Sequence, residues 1–262
     1  MAFDLASISK GKAKRAPRVV LAGTQKIGKS TWAAGAPDAI FLPIRGEEGI
    51  DEIDAAKFPV AQSLADVMSA METLYTEPHD FQTLIIDSLS TLEPLIWDAT
   101  CAAHGLQPGQ IEQVLGGFGK GYIESLKWWG DLLGGLDALR ETRGMGCVLI
   151  THVKVKAFND PLAAAPYDQY QIDLQEKAAH KLERWADATL FANRKAIAQV
   201  AAKKGKGANA VEVVHAKTDG VRRVYTEKTP AHPGGTRYRG MPYELPDFTY
   251  AAFAAEVEKS RE

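Results

Sequence analysis

One stretch, "VVLAGTQKIGKSTWAA" at residues 19–34, constrains the fold more than any other part of the chain. Apolar, partly β-branched residues run into Gly23, and a second glycine, Gly28, is followed at once by Lys29, Ser30 and Thr31. The spacing G-x-x-x-x-G-K-[ST] between a strand and a helix makes a P-loop, whose backbone amides converge on phosphate oxygens. The run Gly23, Thr24, Gln25, Lys26, Ile27, Gly28, Lys29, Ser30 and Thr31 is therefore the expected cradle of a nucleoside triphosphate. Lys29 reaches the β- and γ-phosphates and Ser30 ligates Mg²⁺. Ser30 and Thr31 are also expected to satisfy free amides where the helix begins.

The rest of the pattern suits such a loop. Residues 17–22 (PRVVLA), 39–44 (AIFLPI), 83–87 (TLIID) and 147–151 (CVLIT) read as short buried strands. Residues 63–76, with Leu64, Val67, Met71 and Leu74 in register, and 121–142, apolar at 123, 126, 129, 133, 136 and 139, read as helices. Strands alternating with helices predict an α/β fold: a mostly parallel central sheet flanked by helices, with the ligand at the carboxyl ends of the strands. Beyond it, 173–186 reads as an amphipathic helix. Strands at 188–193, 211–217 and 221–228 are expected to extend the sheet in antiparallel fashion, "TDG" at 218–220 being a type I′ hairpin signal and 203–209 a loop. The organisation expected is a basic segment over 1–17 and one domain over 18–262, with 187–230 as its antiparallel extension.

Asp87 closes the strand TLIID, where an acid can hold the magnesium shell beside the phosphates. Hydrolysis also needs a group that orients water; Glu47, Glu48 and Asp51, in the turn after the second strand, are the candidates. His152, directly after CVLIT, is placed to touch the γ-phosphate. Five basic residues (Lys10, Lys12, Lys14, Arg15, Arg18) face only Asp4 in the first eighteen positions, and nine face three acids between 194 and 228, so a formal charge of −2 conceals basic strips that a polyanion can use. Cys101 and Cys147, far apart in apolar surroundings, offer neither a disulfide framework nor a metal spacing and fit a reducing cytoplasm. No apolar run approaches the roughly 20 residues that span a bilayer, and the N-terminus has no apolar stretch of signal-peptide length, so neither a membrane nor export is expected.

With these elements in this order the chain resembles the RecA-like ATPase core, and more closely the phage-encoded RecA-like ATP-binding proteins of the Sak-type single-strand annealing group. The likeness runs from "FDLASISKGK" through "GTQKIGKST", "GEEGID", "FQTLIIDSLSTLEPLIW", "GFGKGY", "RGMGCVLITHVKVKAFNDP", "YDQYQIDL" and "WADATLFAN" to "RVYTEKTP" and "RGMPYELP". It implies ATP as the nucleotide, with Mg²⁺, and a location in the cytoplasm of a bacterial host. It selects Glu47 to position water and makes His152, beside Thr151, the γ-phosphate sensor. It puts DNA-binding loops at 101–121 and 153–170. There Lys154 and Lys156 neutralise phosphates while Phe158, Tyr167 or Tyr170 stacks on bases, and Lys120 and Tyr122 add to them. Relatives carry a lysine and an arginine before the "RYGLP"-like segment, used against a neighbour's nucleotide; here "GGTRYRGMP" has Thr236 where the lysine stands, leaving Arg237 and Arg239 as the arginine fingers. Phe3-Asp4-Leu5-Ala6 spells the F-x-x-A pattern with which recombinases dock onto the next protomer. The implied protein is a homo-oligomeric, single-stranded-DNA-binding recombination ATPase, with a single-strand binding protein as a further partner. The alternatives are an ATP-driven regulatory or assembly switch that never contacts DNA, and a small-molecule kinase, for which the chain offers no obvious acceptor lid.

Overall fold

A computed structural model describes residues 4, 8, 10–47, 49–161, 164–204 and 211–262, with backbone alone at 196–204 and 211–217. β1 (Arg18–Gly23) leads through the phosphate loop into α1 (Lys29–Ala34). β2 (Ala39–Pro43), the two-residue β3 (Ala56–Lys57), α2 (Leu64–Thr76), β4 (Thr83–Asp87) and α3 (Leu89–Ala103) follow. Next come α4 (Lys120–Glu124), α5 (Leu126–Arg143), β5 (Gly146–Phe158), β6 (Tyr167–Ile172) and α6 (Glu176–Trp185). The chain closes with β7 (Ala188–Lys204), β8 (Val211–Tyr225), β9 (Gly235–Thr236) and α7 (Tyr250–Arg261).

The sheet runs β3-β2-β4-β5-β1-β7-β8. Every contact from β3 to β7 is parallel, and β8 pairs antiparallel with β7. This is the expected mixed α/β architecture with an antiparallel C-terminal pair. Because strand side chains alternate between faces and both faces are covered, β1 is apolar throughout after Arg18. Val20 and Ala22 join the cluster of Leu64, Leu92, Trp129, Leu136 and Leu182 under α2, α3, α5 and α6. Val19 and Leu21 pack with Trp32 and Phe253 of α1 and α7. Ser63 starts α2 with a reciprocal cap: its hydroxyl accepts from the Asp66 amide at 3.2 Å and the Asp66 carboxylate accepts from the Ser63 amide at 2.9 Å. Both cysteines are buried free thiols. Among the described residues no helix is long and apolar enough to cross a membrane.

Several local expectations are corrected. The helix expected over 121–142 divides at Ser125, whose hydroxyl turns back to the Tyr122 carbonyl at 2.8 Å and separates α4 from α5. The strand at 188–193 lies parallel to β1, not antiparallel: α6 acts as a crossover helix, and the Asp187 amide meets the Arg18 carbonyl at 2.9 Å where both strands begin. "TDG" is not the hairpin turn; it lies within β8. Arg222 pairs with Arg194 and Thr218 with Ala196, so residues 219–221 bulge opposite Lys195 alone. The turn chemistry is real, with Gly220 at φ 77° and the Asp219 carboxylate accepting the Val221 amide at 3.0 Å, but it serves the bulge. β8 stops at Tyr225, short of the expected 228; of the expected loop, Lys203 and Lys204 belong to β7 and 205–209 lie outside the described residues. Finally, much of 153–170 is not loop. β5 runs on to Phe158 and β6 pairs with it antiparallel, Val153 opposite Ile172 and Phe158 opposite Tyr167.

Candidate active site

Parallel strands deliver their carboxyl ends to one edge of the sheet, and that edge collects the predicted groups. Gly23 lies opposite His152 of β5 and Ala192 of β7, while Asp87 ends β4 opposite Pro43. A cleft of about 620 Å³ opens there, lined by Gly28, Lys29, Ser30, Glu47, Asp87 and His152 among others. Gly23 must be glycine because a Cβ would stand 2.5 Å from the Ala192 carbonyl oxygen. Gly28, with φ 99°, turns the chain into α1.

The capping role expected of Ser30 and Thr31 is corrected: Gly28 takes the N-cap position and no side chain caps the helix. The Ser30 hydroxyl instead donates to Asp87 Oδ2 at 2.5 Å. An alcohol and a carboxylate side by side are the hard oxygen donors that Mg²⁺ takes while keeping water and phosphate as its other ligands, so these residues fit that ion. Burial pushes the Asp87 carboxyl above its ordinary value, against the Ser30 hydrogen bond, with Glu47 pushing the same way.

Lys29 is buried, and its Nζ donates to the carbonyls of Gly23 at 3.2 Å and Thr24 at 3.0 Å. Burial lowers its pKa, which Asp87 and Glu47 oppose. Nζ also lies 3.3 Å from His152 Nδ1. An ammonium can only donate, so Nδ1 accepts and the ring proton sits on Nε2, 3.0 Å from Glu47 Oε1. Ser88 donates to the same Oε1 at 2.5 Å. Burial pushes Glu47 up, yet the bonds from His152 and Ser88 with the nearby positive charge outweigh it and hold the carboxyl below its ordinary value. Of the three acids in the turn, Glu47 reaches the cleft; Asp51 pairs with Lys57 at 3.3 Å on the surface, and Glu48 lies outside the described residues.

The other candidates stand elsewhere. Thr151 is buried beside Ser90, Oγ1 to Oγ 3.1 Å. Lys154 pairs with Asp173 at 3.2 Å and donates to the Leu174 carbonyl at 3.0 Å; Lys156 is exposed on the β5–β6 ribbon and Phe158 is half-buried against Tyr167. Tyr170 packs on Phe191, 5.3 Å between rings. Tyr122 donates to Glu112 at 2.6 Å and meets Trp97 edge-on, while Lys120 is exposed. Arg237 pairs with Asp187 at 3.1 Å and, with exposed Arg239, lines a basic cleft at the opposite edge of the sheet from the phosphate loop. Phe3, Leu5 and Ala6 of the F-x-x-A pattern lie outside the described residues.

The sequence family described as an AAA domain matches residues 15–238, from just before β1 to just after β9. The chain belongs to the AAA domain family. No curated protein matches it. An AAA domain is a P-loop ATPase, so the family supports ATP hydrolysis in general. Sequence reasoning missed several residues that touch the predicted ones. Ser88 follows the acid in "IIDS" and could have been found by asking what holds the Glu47 carboxylate. Asn193, whose Oδ1 accepts from the Thr24 hydroxyl at 3.3 Å, and Arg222, beside Gly28, come from β7 and β8, and no local signal ties those strands to the loop.

Proposed function

We propose that this AAA-domain protein is an ATP-dependent, single-stranded-DNA-binding recombination ATPase of phage or prophage type that promotes strand annealing or pairing. The observation that carries the reading is the continuity of β5. It passes from the sheet core through His152, in the nucleotide cleft, into the ribbon beyond, and strand alternation puts Lys154, Lys156 and Phe158 on the same face as His152. In this reading Lys29, Ser30 and Asp87 hold the triphosphate and its magnesium, which when bound neutralises charge on the phosphate oxygens. Glu47 orients water: Ser88 and His152 both bond its Oε1, leaving Oε2 to take the proton-bearing partner. His152 and Ser90 tie the cleft to the ribbon base, since the Ser90 hydroxyl accepts the His152 amide at 3.1 Å and donates to the Asp173 carbonyl at 3.1 Å.

On the DNA side, Lys156, Lys120 and Phe118 add support. Phe118, at the tip of "GGFGKG", is 98% exposed, an aromatic face free to stack on a base. Arg239, exposed at the far edge, is the better placed of the two arginines to reach a neighbouring protomer. One observation favours the switch without DNA: Lys154 is already neutralised by Asp173.

Anisotropy of a labelled single-stranded oligonucleotide, with and without Mg-ATP over a range of salt, separates the two. Binding tightened by Mg-ATP is expected, and Lys154→Ala/Lys156→Ala reduces the slope of log affinity against log salt by about 1.4, two phosphate contacts' worth. Absence of binding at low salt, or a double variant with an unchanged slope, overturns the DNA reading.

A further inference from the structure

β8 places a guanidinium against the phosphate loop. A Cβ built on Gly28 would lie 2.6 Å from Arg222 Nη1 and 3.6 Å from Phe248 Cε1, so the head of Arg222 stands directly beside the glycine that precedes Lys29. Its guanidinium carbon lies 4.7 Å from the centre of the Phe248 ring, an arrangement that orients an arginine without neutralising it. Among the described residues no carboxylate pairs with Arg222, whereas its neighbour Arg223 is held by Asp219 and Glu244 at 2.7 and 2.8 Å.

A second observation also calls for an anion. Arg222 lies directly opposite Arg194 in the β7–β8 ladder, and directly opposed residues of an antiparallel pair point to the same face. Like charges so placed repel, and Arg194 too has no carboxylate partner among the described residues, its Nε donating to the Gly220 carbonyl at 3.3 Å. Asn193, next to Arg194, already bonds the loop through Thr24. Arg222, beside Gly28 and next to a second arginine with no carboxylate partner among the described residues, would be compensated by a polyphosphate held on the loop.

We propose that Arg222 is a second phosphate-binding cation of the nucleotide site, supplied in cis by β8. The proposal rests on the family-level ATP site described above. It gives the C-terminal antiparallel pair a function: the β8 strand reports directly on the phosphate chain, and its planar fork offers two donors where Lys29 offers a point charge.

The test is equilibrium binding of a fluorescent ATP analogue in magnesium buffer, with displacement by ATP and by inorganic triphosphate, which has no base. Arg222→Met keeps the stem on Phe248 and removes the charge; Arg222→Lys keeps the charge and removes the fork. The expected result is a loss on the order of tenfold in Arg222→Met, equal for ATP and triphosphate, and partly restored in Arg222→Lys. Unchanged affinity in Arg222→Met overturns the proposal. So does a loss confined to ATP, which assigns the Arg222–Phe248 pair to the base. If wild type binds no better than Lys29→Ala, the ATP-site reading fails and takes this one with it, a pattern distinct from either other result.

Discussion

At the scale of single residues, the cleft works through competing terms on a few side chains. Glu47 is the clearest case, because burial alone would raise its pKa while the bonds from His152 and Ser88 more than reverse that. Removing one donor therefore lets the raising effect of burial come through. In the proposed role Glu47 must be ionised to orient water and loses activity as pH falls through its pKa, so the acid limb of kcat/KM is expected below the ordinary glutamate range in wild type. His152→Ala is expected to move that limb to higher pH. A pH profile of kcat/KM whose acid limb stays put in His152→Ala contradicts the hydrogen-bond account. Lys29, by contrast, is held by two carbonyls and the His152 ring.

At the scale of elements, α3 and α6 meet through a buried acid. Both oxygens of Glu93 lie 2.9 Å from the Gln175 amide at the start of α6, and burial, against that bond, pushes the carboxyl up to about 7 from an ordinary 4.5. The native state thus keeps a proton that the unfolded chain has released. Its contribution is fully present below about pH 4.5 and is lost as pH rises towards 7, a change on the order of 2–3 kcal/mol. Urea unfolding at pH 5 and pH 7.5 should show that loss in wild type and little of it in Glu93→Gln, which still offers an acceptor to Gln175 without a charge. An equal loss in both proteins rules Glu93 out as its source. Elements also mark where sequence reading succeeds. β1, β4 and the core of β5 were legible because burial on both faces leaves a continuous apolar run, and α2 because Leu64, Val67, Met71 and Leu74 recur at helical spacing. The outer half of β5 was read as loop although Val153, Lys154, Val155 and Lys156 alternate apolar with polar: from Lys154 to Ala157 both faces are exposed, and pairing with β6 makes it a strand. "TDG" misled for a related reason, since a bulge and a hairpin turn draw on the same residues and differ only in what the partner strand does.

At the scale of the whole molecule, parallel topology turns scattered motifs into one site. Gly23 and Asp87 end their strands and His152 lies part-way along β5, far apart in sequence, and the order β4-β5-β1 sets the His152 strand between the loop strand and the acid strand. That convergence was readable from the strand–helix alternation. The approach of Arg222 was not, because it depends on β8 closing the far side of the loop through long-range pairing. The AAA-domain match over 15–238 supports ATP hydrolysis in general, and the function proposed above puts it in this cleft, with Lys29 binding and Glu47 acting on water. Steady-state hydrolysis measured beside equilibrium nucleotide binding, for wild type, Lys29→Ala and Glu47→Gln, tests it most directly. The account predicts that Lys29→Ala loses both, while Glu47→Gln binds ATP within about threefold of wild type and hydrolyses it on the order of a hundredfold more slowly. Hydrolysis by Glu47→Gln at the wild-type rate, or by Lys29→Ala at any comparable rate, would contradict it.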